Sequence, residues 1–259
     1  MSEVPLMVDR QGAVAVLTLN NPSRLNSLIP PMRAQLEETI PALVKDPEIR
    51  AVVITGAGRG FCSGGDFSQK RDRARPVQVH RDMARAQMWM RELILSDLFV
   101  VTAVNGPAAG AGFGLAMMGD VVFASDQAFF KAGFPTIGVS ADYLLGWNLP
   151  RAVGTVRAFE ILTSNRRIEA EEAERIGMVT RVVQHDALLE AALAYARQLA
   201  ASPFGVVATK KLVRSAQDHA LSEYMRLEAH SFALASASDD YQAGIDAFRE
   251  KRTPEFTGT

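Results

Sequence analysis

Leu98-Phe-Val-Val-Thr-Ala-Val-Asn-Gly-Pro-Ala-Ala-Gly-Ala-Gly-Phe-Gly-Leu-Ala-Met-Met-Gly119 carries no charged side chain from end to end. Its length alone would let it cross a bilayer. Its punctuation argues otherwise, because Asn105, Pro107 and glycines at 106, 110, 112 and 114 break the run in the middle. Phe99 to Val104 reads as a buried strand, Asn105-Gly-Pro as a turn, and the residues after Gly110 as the start of a helix. The stretch is therefore one strand–turn–helix unit, and the fold follows from what repeats around it.

Upstream, Ala13 to Leu19 alternates and stops at Asn20-Asn-Pro, a strand ended by turn residues. Pro30-Pro31 opens a helix with Met32, Leu36, Ile40 and Val44 at four-residue steps, and Pro41 is expected to shorten or kink it. Ala51-Val-Val-Ile-Thr55 is a second buried strand, and it runs into Gly56-Ala-Gly-Arg-Gly60. Gln69 to Ser96 reads as a charged helical stretch, and Val121 to Ala124 as a further strand. This alternation predicts an α/β fold with a largely parallel sheet. Beyond residue 155 the chain turns helical, apart from a strand at Val179 to Val183. The expected division is an α/β core over 1–200 and a helical region over 201–259.

Composition narrows the chemistry. Among 259 residues, 28 Lys and Arg face 29 Asp and Glu, a net charge of −1 that gives no broad footprint for nucleic acid. The lone Cys62 excludes an internal disulfide and fits a reducing, cytoplasmic setting. His80, His185, His219 and His230 lie too far apart for local metal-ligand spacing, so no metal is expected. The start Met1-Ser-Glu-Val-Pro has no basic and then apolar run, so no secretory leader is expected either. Several motifs fail on inspection. Gly56-Ala-Gly-Arg-Gly60 lacks the Lys-Ser/Thr of a P-loop, and Phe61 stands where a dinucleotide fingerprint needs its third glycine. Ser63 lacks the first glycine of a nucleophile elbow.

What survives is a pair of glycine-rich turns, Cys62-Ser-Gly-Gly-Asp66 and Asn105 to Gly114, each following a strand. The second enters a helix, whose first backbone N–H groups are unpaired and lie at the positive end of the dipole. Two such turns side by side can either donate two N–H groups to one oxyanion or pack a helix tightly on a strand.

These residues resemble the crotonase (enoyl-CoA hydratase/isomerase) superfamily. The resemblance rests on Leu19-Asn-Asn-Pro with Leu25-Asn-Ser-Leu28, on Asp46-Pro-Glu-Ile-Arg-Ala-Val-Val-Ile-Thr-Gly56, and on the two glycine turns. Arg151-Ala-Val-Gly154 and Phe248-Arg-Glu-Lys-Arg252 carry it almost to the C-terminus. It implies a β-β-α spiral core with a helical C-terminal region that trimerises, often into a dimer of trimers. It also implies a coenzyme A thioester as substrate and no permanently bound cofactor.

By position, the resemblance makes Gly65 and Ala111 the two N–H donors to the thioester oxygen. It places Arg24, Leu25, Gly64 and Asp66 along the CoA path. Phe248 and Lys251 match residues that reach CoA from a neighbouring subunit. Hydratases of this kind use two glutamates, and the matching positions here hold Gly114 and Phe134, which cannot activate water. Asp142, in Ile137-Gly-Val-Ser-Ala-Asp-Tyr-Leu-Leu-Gly-Trp147, is the acid left in that region. It is either a cap for a helix beginning at Tyr143 or a proton shuttle, the part an aspartate plays in resembling dienoyl-CoA and ring isomerases. The expected reaction is double-bond isomerisation of an unsaturated acyl-CoA. The alternatives are dehalogenase- or hydrolase-like chemistry with Asp142 as nucleophile, and a homologue that only binds acyl-CoA. An RNA-binding side role would have to use Arg71 to Arg81. Residues 67–98 and 221–240 are expected to shape the acyl end.

Overall fold

A computed structural model describes residues 4–66 and 75–258. Its main sheet holds β1 (Leu6–Gln11), β2 (Val14–Leu19), β3 (Ala51–Gly56) and β4 (Phe99–Val104) side by side. β5 (Ala108–Ala109) leaves that sheet, which continues through β6 (Val121–Ser125) to β9 (Arg181–Val183). β5 pairs instead with β7 (Phe129–Lys131), which also takes β8 (Arg167–Glu169), in a small second sheet. Every pairing in the main sheet is parallel except β1 with β2. β1 escapes the sequence reading because only Leu6 of this edge strand is buried, so no apolar alternation marks it.

The helices explain why β3 and β4 are apolar at every position. Both faces of the sheet are covered, as parallel sheets require. On one face lie α1 (Pro30–Val44), α2 (Pro76–Leu95) and α3 (Ala111–Ala116), packed on Leu17, Val52, Ile54 and Val100. The same core continues under α4 (Phe134–Ile137), α5 (Leu145–Val153), α6 (Thr155–Ser164) and α7 (Ala170–Arg175). On the other face α8 (Leu188–Ala200) packs Leu188, Ala192 and Ala196 on Val14, Val53, Val101 and Phe123. The period of two thus sends alternate residues of each strand into separate cores.

α1 continues through Pro41 to Val44, longer than expected, and α2 begins only at Pro76. Arg71 and Arg73 lie outside the described residues. No helix among the described residues is long and apolar enough to cross a membrane, which answers the question raised by 98–119.

The C-terminal helices are α9 (Phe204–Ser215), α10 (Leu221–Ser236) and α11 (Asp239–Glu250). α9 is fixed to the sheet by Asp120, which accepts from Lys210 at 2.9 Å and from Arg214 at 2.8 Å. It also accepts from the Val100 N–H at 2.8 Å. Burial pulls the Lys210 ammonium below its usual range, and Asp120 opposes that pull. Asp120→Asn strands a buried cation, so a loss of about 3 kcal/mol is expected in denaturant unfolding.

Candidate active site

The two glycine turns meet at the carboxyl ends of β3 and β4. The loop 56–60 between them and the sheet is tied down by two asparagine side chains. Asn26, fully buried, donates to Ala57 O at 2.9 Å and Gly60 O at 2.7 Å. Asn105 donates to Gly58 O at 2.8 Å and accepts from the Gly56 N–H at 3.1 Å. The carbonyls of this loop are thus held inward, the opposite of a phosphate cradle.

Beyond the loop, Cys62 pairs with Ala108: its N–H donates to Pro107 O at 3.1 Å, and its carbonyl accepts from Ala109 at 2.9 Å. The chain then swings through Gly64, whose φ of +85° favours glycine. A Cβ there would lie 2.6 Å from Ala109 O and 3.1 Å from the Ala111 nitrogen, so the backbones of the two turns touch. Gly110, with φ 53° and ψ −126°, redirects the chain into α3, and Ala111 is the first residue of that helix. Among the described residues neither the Gly65 nor the Ala111 N–H has a hydrogen-bond acceptor. Two unpaired donors on touching turns, one of them opening a helix, form a place where an oxyanion can sit.

The wall opposite is apolar. A Cβ at Gly114 would lie 2.6 Å from both Cβ and O of Tyr143 and 3.2 Å from Asp142 O. A glutamate at position 114 would therefore collide with the segment that carries Asp142. Phe134 is buried, with its ring edge 4.0 Å from where a Cβ on Gly110 would be.

Asp142 is half-buried beside α3, and its Oδ1 is sealed from solvent without a hydrogen-bond partner among the described residues. Burial raises its pKa to about 6, against the Arg33 charge and its own N–H, which lower it. The helix-cap reading is not what the structure shows. Tyr143 and Leu144 are both left-handed, with φ 49° and 57°, and α5 begins at Leu145 with no side-chain cap. Only the backbone carbonyl of Asp142 serves the helix, accepting from Leu145 at 3.0 Å. Two consecutive left-handed residues that are not glycine cost about 1 kcal/mol or more each. What they achieve is a buried Tyr143, edge-on to Trp89 of α2 with ring centroids 6.1 Å apart.

A cleft of about 910 Å³ opens between α1 and α2 and is lined by Arg24, Arg33, Glu37, Asp66, Met83 and Tyr143 among others. Arg24 pairs with Asp66 at 2.9 Å on its rim. Leu25, left-handed, accepts from the Ser63 N–H at 2.9 Å and so holds the first turn in place. Phe248 and Lys251 lie exposed at the end of α11 and do not line this cleft among the described residues. Neither does α10, whereas α2 contributes Gln78, Val79, Asp82 and Met83. Cys62 is buried, and burial pushes its thiol up to about 12, so no thiolate forms there near neutral pH. A second cavity of about 610 Å³ surrounds the Asp120–Lys210–Arg214 cluster, whose charges are already paired. No group of three or more potential metal ligands occurs among the described residues.

Sequence reasoning placed Gly64, Gly65, Asp66, Ala111, Arg24 and Leu25 in one neighbourhood, and the structure brings them together. It missed Arg33 and Tyr143. Arg33 follows Met32 of the apolar stripe and so falls on the flank of the buried face, the one signal available for it.

Comparison with known proteins agrees with this geometry. Residues 9–259 match the profile of the family described as Enoyl-CoA hydratase/isomerase. The 1,2-epoxyphenylacetyl-CoA isomerase of Escherichia coli (strain K12) is 38% identical over 252 residues, covering 96% of each chain. The 2,3-dehydroadipyl-CoA hydratase of the same organism is 36% identical over the full length of both. The crystal structure of an enoyl-CoA hydratase from Polaromonas sp. JS666 superposes with a TM-score of 0.91 at 33% identity, covering 97% of this chain and 99% of that one. With the crotonase fold, the paired glycine turns and a profile match over nearly its whole length, the chain belongs to the enoyl-CoA hydratase/isomerase family.

Proposed function

We propose that the chain moves the double bond of an unsaturated acyl-CoA, with one carboxylate carrying the proton. The thioester oxygen accepts from the Gly65 and Ala111 N–H groups. Charge that develops on it as the neighbouring carbon is deprotonated is stabilised there, each donor contributing about 2.7–4 kcal/mol. Asp142 takes that one proton from the acyl-CoA, leaving a dienolate, and returns it to the carbon at the other end of the dienolate. No water enters, so substrate and product have the same mass.

The observation that carries this reading is Asp142 itself, a half-buried carboxylate with a sealed, unpartnered oxygen on a segment whose backbone abuts α3. A pKa of about 6 leaves it ionised at neutral pH yet basic enough to hold a proton briefly. Gly114 and Phe134 support the same choice, since neither can hold a water. One relative named above is an isomerase and the other a hydratase, so the family alone does not choose between them.

Coenzyme A fits along the cleft, with its phosphates at the Arg24 rim. Self-association belongs to the same proposal: α10 buries none of its residues, and Leu221, Met225, Phe232 and Phe248 are exposed. Apolar surface of this kind suits packing on neighbouring copies, as a trimer or a dimer of trimers. Phe248 and Lys251 would then be presented to the neighbour's CoA.

The test is a panel of straight-chain, branched and aromatic unsaturated acyl-CoAs, read by mass spectrometry and proton NMR. A shifted double bond at unchanged mass is the expected product. A product heavier by one water would replace isomerisation with hydration.

A further inference from the structure

Arg33 is not used by the chemistry proposed above. It stands in the first turn of α1 and lines the cleft on the side of Tyr143. Its Nε is sealed from solvent with no acceptor, and it makes no ion pair among the described residues, even with Glu37 one turn further along the helix. It shares the cleft wall with Tyr143, the residue after Asp142, and its charge lowers the Asp142 carboxyl's pKa, so it stands toward the reacting end of the cleft and not only at the rim.

The other charges in the cleft have different roles. Arg24 is paired with Asp66 at 2.9 Å, Asp82 accepts from Gln78 at 2.8 Å, and Arg85 is exposed on α2. Arg33 is half-buried, and its Nη groups have no charge partner among the described residues; their planar fork matches the two oxygens of a carboxylate. The CoA phosphates cannot be that partner if the thioester oxygen sits at Gly65 and Ala111. They lie a whole pantetheine arm from the thioester carbonyl, whereas Arg33 shares the cleft wall with Tyr143, the residue after Asp142. The matching anion must therefore be on the acyl side.

We propose that Arg33 binds an anionic end of the acyl group, so that the substrates are CoA thioesters of dicarboxylic acids. This rests on the thioester occupying the cleft as described under the proposed function.

Binding of unreactive saturated thioesters tests this without relying on turnover. Calorimetry would compare butyryl- with succinyl-CoA, hexanoyl- with adipyl-CoA, and octanoyl- with suberyl-CoA, in the wild type, Arg33→Leu and Arg33→Lys. In at least one pair the carboxylate-ended ester is expected to bind the wild type about tenfold or more tighter, the worth of one charge-assisted hydrogen bond. Arg33→Leu should bring that ratio to near one, and Arg33→Lys should keep part of it. No preference in the wild type overturns the assignment even if the variants fail to fold, and so does a preference that survives Arg33→Leu. If all six esters bind alike, only the Arg33 assignment falls. If none binds, the acyl-CoA reading of the cleft falls with it.

Discussion

Replacing Asp142 with Asn is expected to slow double-bond migration by about 10²–10⁴-fold, with acyl-CoA binding retained. Asparagine keeps the size of the side chain and its place beside α3 but cannot accept the substrate proton. The wild-type rate should fall on the acid side with an apparent pKa near 6, because only the ionised carboxylate can act as base. Among the groups around Asp142, burial keeps Cys62 and Tyr143 neutral over that range. The acid limb therefore belongs to Asp142 and should be missing from whatever activity the variant retains.

The same burial has a stability consequence. The carboxyl holds its proton more tightly in the folded chain, at about 6, than in the unfolded one, at 3.8. Ionising it therefore disfavours the fold. The cost is absent below the unfolded value, grows between the two, and is complete above the folded one. The shift corresponds to at most about 3 kcal/mol, which partial solvent exposure reduces to about 1–2 kcal/mol. Asp142→Asn should accordingly be the more stable protein at neutral pH in thermal unfolding, and the gap should close on acidification. Loss of activity with gain of stability is the signature of a group kept for chemistry.

Gly112→Ala is expected to be the most damaging small substitution in the site. A Cβ at this position would lie 2.1 Å from Cys62 O and 2.7 Å from its carbonyl carbon, both main-chain atoms that cannot rotate away. Relief requires α3 to move off the first glycine turn by about 1 Å, and a displacement of that size can cost about 10²-fold in rate. The strain should also lower stability by about 3 kcal/mol. Gly146→Ala is the matched control, since nothing lies within 4 Å of where its Cβ would stand and the residue is helical. Unfolding and turnover of that variant should stay close to wild type. Equal behaviour of the two variants would mean that contact between the turns does not set the spacing of Gly65 and Ala111.

The sheet and both glycine turns were legible because short apolar runs bounded by Gly, Asn and Pro leave few alternatives. The resemblance added roles that periodicity could not. What stayed hidden depends on contacts distant in sequence. Asp142 followed by Tyr-Leu-Leu reads locally as a helix cap. The packing of Tyr143 against Gly114 and Trp89 instead drives two residues left-handed and frees the carboxylate. Asn26 and Asn105 belong to quoted motifs, yet their shared grip on the Gly60 carbonyl, at 2.7 and 3.3 Å, appears only in three dimensions. Arg33 adjoins the apolar stripe of α1, and only the approach of α2 and Tyr143 makes it part of a cleft.

Proton exchange at the substrate carbons requires enolate formation but not the right acyl group, which makes it the sharpest probe of the hole and its base. An unsaturated acyl-CoA would be incubated in deuterium oxide with wild type or Asp142→Asn and followed by NMR at the α and γ carbons. Expected is deuterium uptake with the wild type, faster as Asp142 ionises near pH 6, and none above background with the variant although it still binds the ester. Undiminished uptake in Asp142→Asn would show that another group moves the proton.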